Sequence, residues 1–203
     1  LTGMDFLGRG YDVFSNYADP KEIKAEVLDF DALSADGLVE QIQLEDSDFQ
    51  TIEGTTVEDY MAALSQRASV GGSYAGFSGS VTVNFDESHY THSEYSFATV
   101  EALIRKYSAR IDLGVSTSTL KSYLTENARN AINDPTVAPA DLFISFGTHV
   151  LRGIVIGGRL DFNVSADMSL VEGSKSIGVF AEASYEGIFS VDVSSETVSE
   201  SEM

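Results

Sequence analysis

Two stretches of this chain satisfy the helical and the strand pattern at once, and any fold for the sequence has to accommodate both. In "ASVGGSYAGFSGSVTVNFDESHYTHSEYSFATVEALIRKYSARIDL", Ala75, Phe77, Val81, Val83 and Phe85 share one face at period two. Tyr74, Ser78, Ser80, Thr82 and Asn84 take the other face. At the helical period, Val70, Tyr74, Phe77, Val81 and Phe85 form a stripe from almost the same residues. The second stretch, "SIGVFAEASYEGIFSVDVSSETVSESEM", alternates Ile177, Val179, Ala181, Ala183, Tyr185, Phe189, Val191 and Val193 with Glu182, Ser184, Glu186, Ser190, Asp192 and Ser194. Phe180 and Ile188 break the alternation and keep a helix open.

An apolar/polar alternation rich in Gly, Ser and aromatics is what a membrane β-barrel needs, with lipid outside, water inside and every backbone group paired. It equally describes a half-buried strand of an ordinary sheet. No apolar run approaches the length of a bilayer-spanning helix, so the chain as written reads as soluble. The opening "LTGMDFLGRGYDVFSNYADP" has no basic segment followed by an apolar core, and no signal peptide is visible in it.

Charge and composition narrow the partners. With 32 acidic against 12 basic residues and a formal net charge of -20, the chain lacks the basic face that a phosphate backbone requires. Simple attraction to anionic lipid is disfavoured for the same reason. The absence of cysteine excludes disulfides, thiolate metal sites and cysteine nucleophiles within the chain, and leaves its redox compartment open. At 203 residues and 43% hydrophobic content, one folded domain is expected.

Elsewhere "EIKAEVLDF" and "LVEQIQL" read as strands. "STSTLKSYLTENARNAI" reads as one helix, with Leu120, Leu124, Ala128 and Ala131 at helical spacing, ended by "NDPTVAP". A second short helix opens at "APADLFISF", with proline in its first turn.

That short helix runs into "FISFGTHVLRGIVIGGRL", where Phe146, Gly147, Thr148 and His149 precede an apolar strand carrying Gly157 and Gly158. The run resembles the signature of the membrane attack complex/perforin (MACPF) family, related to the cholesterol-dependent cytolysins. "LGRGYDVFSNYADP" resembles the opening of bacterial and fungal members, and "YSFATVEALIRKYSARID" resembles the strand returning from their first membrane-inserting segment. The three together cover nearly the whole chain in the family's order.

The resemblance implies an α+β fold, a bent, twisted central antiparallel sheet flanked by helical clusters, spanning residues 1–203. It implies that each cluster refolds into a β-hairpin, the first segment at 66–98 and the second beginning at 174–203. In those hairpins Phe77, Val81, Val83 and Phe85, then Val179, Ala181, Ala183, Tyr185, Phe189 and Val191, are expected to face lipid. The implied protein is secreted, a monomer when soluble and a homo-oligomeric ring or arc on a target-cell membrane. It takes no cofactor and no nucleic acid. The signature residues Phe146, Gly147, Thr148, His149, Gly157 and Gly158 are structural in this reading.

The neighbours of His149 offer no nucleophile with an orienting acid, so an enzyme is not expected. Gly157 and Gly158 fit close backbone approach or a sheet bend better than phosphate binding, because no P-loop lysine follows. His89 and His92, beside Asp86, Glu87 and Glu94, read as a polar hairpin tip or as a metal or pH-sensing site. The acidic tail from Glu182 to Met203 reads as a solvated face, a barrel lumen or a pH brake. A complete domain of the family is expected to continue beyond Met203, so that the chain is a fragment, a cleavage product or part of a longer protein. The leading function is pore formation, and the alternative is a non-lytic surface or adhesion module.

Overall fold

The computed structural model describes residues 3–70, 76–170 and 176–195, the last seven of these by backbone alone. Its strands are β1 (Arg9–Tyr11), β2 (Ile23–Glu26), β3 (Val39–Gly54), β4 (Tyr95–Ile111), β5 (His149–Val150) and β6 (Gly153–Asp167). Its helices are α1 (Phe30–Ala35), α2 (Val57–Arg67), α3 (Ser78–Asn84), α4 (Glu87–Tyr90), α5 (Thr117–Leu120), α6 (Glu126–Asn133), α7 (Pro139–Phe146) and α8 (Ile177–Ser195). The fold is α+β with two sheets, ordered β2-β1-β5 and β3-β4-β6.

The chain divides into two compact units, and β3, β4, β6 and α3 contribute residues to both. The first unit holds the small sheet, in which β1 pairs antiparallel with β2 and with β5, placing Tyr11 opposite His149 and Gly10 opposite Val150. Its core is Leu28, Leu33, Ile111 and Leu120, with Leu38, Val39, Val115, Tyr123 and Leu124 packed around them. Here β3 and β4 run antiparallel, as the ion pairs Arg110 to Glu40 at 2.6 Å and Arg105 to Asp46 at 2.7 Å show.

The expected single helix over "STSTLKSYLTENARNAI" is two. Ser116 caps α5 by accepting the Thr119 amide at 3.1 Å, and Thr125 caps α6 by accepting the Ala128 amide at 3.2 Å. The break has a tertiary cause: Leu124 bridges to Leu28 in extended geometry, and the Thr125 amide donates to the Val27 carbonyl at 3.0 Å. Two long-range strand contacts outweigh the helical spacing.

In the second unit, α2 starts at Thr56, whose hydroxyl accepts the Asp59 amide at 3.1 Å, with Glu58 and Asp59 in its first turn. Its buried Tyr60 meets the rings of Phe85 at 5.1 Å and Phe97 at 6.5 Å. The Tyr60 and Thr99 hydroxyls bond at 2.6 Å, and Thr99 donates to Asn163 Oδ1 at 2.7 Å. A second cluster joins Ala98 and Val100 of β4 to Ile177 and Ala181 of α8.

Candidate functional site

The signature is built from the end of α7. Pro139 opens that helix, and Gly147 ends it at φ +71, its amide donating to the Phe143 carbonyl at 2.9 Å. Glycine is needed there twice over, because a Cβ would also lie 2.7 Å from the Tyr11 backbone. Thr148 follows as a cross-link: its amide donates to the Tyr11 carbonyl at 3.0 Å, and its hydroxyl reaches the same oxygen at 3.3 Å. The hydroxyl also accepts the Val13 amide at 3.1 Å, and His149 Nδ1 lies 3.2 Å away. His149 itself is half-buried on β5. Gly157, on β6, is a close-approach position, since a Cβ there would fall 1.9 Å from the Ile104 carbonyl oxygen, whereas Gly158 has room. Among the described residues, no group of three His, Asp or Glu is arranged to hold a metal ion.

Thr148 thereby fixes the start of the loop that follows β1. The Tyr11 hydroxyl fixes its end, donating to the Asn16 carbonyl at 2.6 Å and accepting the Asp19 amide at 3.3 Å. Burial pushes the Tyr11 phenol up to about 12, so it stays a neutral donor and acceptor.

This loop, Val13 to Tyr17, grips the beginning of the first dual-period stretch. The Val13 carbonyl accepts the Phe77 amide, and the Phe14 carbonyl accepts the Gly79 amide at 3.0 Å and the Ser78 hydroxyl at 2.9 Å. The Tyr17 amide donates to Ser80 Oγ at 2.7 Å, and Ser80 Oγ donates to Asn16 Oδ1 at 3.0 Å. The Phe77 ring meets Tyr17 edge-on at 5.1 Å, and the Arg159 guanidinium lies over the Tyr17 ring, 4.6 Å from its centroid. Phe77 is held at φ +63, a left-handed conformation that costs a bulky residue on the order of 1–3 kcal/mol.

Residues 81–102 of that stretch belong to the second unit. Phe85 packs on Tyr60 and Phe97, with ring centroids 5.1 and 5.0 Å away. At α4, the His89 ring stacks on Tyr95 at 4.3 Å and its Nδ1 lies 2.8 Å from Ser165 Oγ on β6. His92 is exposed, and the structure does not bring it together with His89 on a shared partner. The second stretch is helical too. The α8 residue Gly178 donates its amide to Glu53 at 2.7 Å, Thr51 donates to Glu182 at 2.5 Å, and Tyr185 packs on Phe49 at 5.1 Å.

The placement of the apolar residues follows one rule in both stretches. Phe77, Val81 and Phe85 are 2, 4 and 7% exposed, while Val83 is 66% exposed. Ile177 and Ala181 are buried, Tyr185 is half-buried, and Val179 and Ala183 are exposed. Residues four apart drift only about 40° around a helix, so 177, 181 and 185 stay on one stripe of α8, while Val81 lies in α3 and Phe77 and Phe85 flank it at the same spacing. Every such residue also has the same strand parity. The side chains of Phe189 and Val191, and the acidic tail beyond Ser195, lie outside the described residues.

A family model described as MAC/Perforin domain matches residues 1–202. The chain belongs to the MACPF family. Among solved structures it is similar to GNIP1Aa from Chromobacterium piscinae, with TM-score 0.79 and 24% identity over 98% of this chain and 40% of that one. It is also similar to a protein from Bacteroides thetaiotaomicron described as a cell invasion protein with a MAC/Perforin domain, with TM-score 0.62 and 18% identity. That match covers 81% of this chain and 35% of the other, so the chain spans well under half the length of either structure. No curated protein matches it.

Within this MACPF domain, the sequence places Thr148 beside His149 in the structural signature but does not show what either residue bonds. Thr148 makes the bonds to Tyr11 and Val13, and Gly10 makes room for α7. The partners are more than 130 residues away in sequence, beyond what local pattern carries. The one available signal was "LGRGYDVFSNY", where a Gly-rich turn precedes an aromatic-rich, polar loop.

Proposed function

We propose that this MACPF domain is the membrane-inserting part of a secreted pore-forming protein, which assembles as a ring or arc of identical subunits on a target-cell membrane. Residues 66–98 refold into one hairpin of a shared β-barrel, and residues from 174 onward begin a second. No covalent step and no cofactor is involved, and His149 serves the fold. Lipid is the partner, and members of this family act on membranes.

The observation that carries the reading is the four-residue spacing of the buried apolar residues in the two stretches. The structure buries Phe77, Val81 and Phe85, within α3 and directly beside it, and Ile177, Ala181 and in part Tyr185 along α8, and each set is a subset of one strand face. Extension of the same segment brings the remaining residues of that parity, Gly79 and Val83 or Val179 and Ala183, onto the same face. Water on one side and lipid on the other then suit the two faces. A strand of an ordinary sheet needs no helical alternative, and an adhesive surface needs no lipid-compatible face.

Val83 and Thr82 provide the test, because both are exposed in the soluble form and they have opposite strand parity. A lysine at buried Val81 would damage the soluble fold and report nothing about insertion. Val83→Lys places a charge toward lipid, at about 2–4 kcal/mol per subunit near mid-membrane, multiplied around the ring. The full-length Val83→Lys protein should bind and assemble on liposomes yet release little dye, while Thr82→Lys should release dye with altered ion selectivity. Equal release by the two folded variants overturns the barrel parity. A folded native protein that binds liposomes and releases no dye returns the non-lytic, adhesive reading.

A further inference from the structure

We infer that the loop Val13–Tyr17, anchored by Thr148, is a strained clasp that keeps the first refolding segment in its soluble form and must open before that segment extends. The inference rests on the pore-forming reading. It adds a specific restraint, made by the signature threonine through a loop near the N-terminal end of this chain.

The contacts are exclusive of the extended state. In an antiparallel strand, alternate residues direct their amides to the same side, so Phe77 and Gly79 would offer theirs to one neighbouring strand. In the clasp those two amides are taken by the Val13 and Phe14 carbonyls. Ser80 likewise spends its hydroxyl on the Tyr17 amide and on Asn16. Gly79 sits so close to the loop that a Cβ would lie 2.6 Å from the Ser15 carbonyl carbon and 2.9 Å from the Asn16 nitrogen. No ladder can form on that side until the loop has left.

The clasp is also loaded. Phe77 occupies a left-handed conformation that an aromatic residue leaves on entering a strand, and the buried ring against Tyr17 is what holds it there. Opening therefore relieves backbone strain while exposing one aromatic ring. Thr148 fixes the other side of the loop through Val13 and Tyr11, so the Gly-Thr-His signature is mechanically connected to the inserting segment.

The chain contains no cysteine, so an Asn16→Cys, Ser80→Cys double variant of the full-length protein can be bridged at one place by a short thiol cross-linker. The unbridged form should release dye from liposomes at least as fast as the native protein, and the bridged form should bind but release at least about tenfold more slowly. In the soluble protein, Gly79→Ala should speed amide exchange over residues 77–84 by about tenfold, with Asn16→Ala as the milder variant should Gly79→Ala fold poorly. Equal release by bridged and unbridged protein overturns the clasp, as does unchanged exchange in a folded loop variant. If neither native nor unbridged protein releases dye, the pore reading fails, and the exchange measurement alone decides whether the loop restrains the segment.

Discussion

Gly10 lies so close beneath the end of α7 that a Cβ on it would sit 1.6 Å from the carbonyl oxygen of Phe146. The obstacle is backbone on both sides, so no rotamer change relieves it. Gly10→Ala must move β1 away from α7 and from β5, opening the pairing of Tyr11 with His149. Overpacking of this kind costs about 1–3 kcal/mol, and more where only backbone can yield. A fall of that size in the urea-unfolding free energy of the soluble protein is expected. A native-like value would mean that β1 and α7 are less tightly apposed than described.

Thr148→Val preserves shape and removes the hydroxyl. The Val13 amide then loses its acceptor, at about 1–3 kcal/mol for a group left without one. Thr148→Ser keeps the oxygen and should restore most of the loss. Thermal unfolding of the two variants checks this, and equal midpoints would show that the hydroxyl does not hold the loop.

The sequence carried the short-range features of this fold well. The Pro139 start and Gly147 end of α7 were legible because capping chemistry is local. So was the ambiguity of Phe77 to Phe85 and Ile177 to Tyr185, because a four-residue spacing belongs to both periods. The break at Thr125 was not, since Leu28 and Val27 impose it from about 100 residues away. The start of α2 is marked locally as well, by Thr56 before Glu58 and Asp59, with Tyr60 and Leu64 at helical spacing. At the site, glycine and histidine stand out in a sequence while threonine does not. Thr148 shows its role only when Tyr11 and Val13 are brought to it.

Phe85 and Val83 separate the stability of the lipid-free fold from the proposed insertion. Phe85 is packed edge-on against Tyr60 and Phe97, and Phe85→Ala should destabilise the soluble protein by about 3–5 kcal/mol. Val83 points outward, so Val83→Ala should change stability by no more than about 0.5 kcal/mol. Denaturant unfolding in the absence of lipid distinguishes them. Comparable losses for the two would contradict the stripe of 77, 81 and 85 as the buried one.

Acid should leave the cap of α4 intact until well below neutrality. Asp86 caps that helix by accepting the Ser88 hydroxyl and the Ser88 amide, the latter at 2.8 Å. The hydrogen bonds from Ser88, its hydroxyl first, hold the Asp86 carboxyl below its ordinary value. A lowered pKa means that the cap's contribution is complete above the unfolded value of about 3.9 and is lost as pH falls through the folded one. Asp134 beside Thr136 and Asp167 beside Ser169 are lowered in the same way, and Asp46 by Arg105, so all four act in the same direction. None of these carboxylates weakens the fold between neutral pH and about 5, the range in which a mildly acidic compartment would act. Asp86→Asn keeps an acceptor at the cap and removes its titration. Ser88 amide exchange, corrected for intrinsic rates, should match between the native and Asp86→Asn proteins at neutral pH and diverge only below about pH 4. Divergence already between pH 6 and 5 would place the Asp86 pKa above its ordinary value, opposite to the direction that the Ser88 bonds impose.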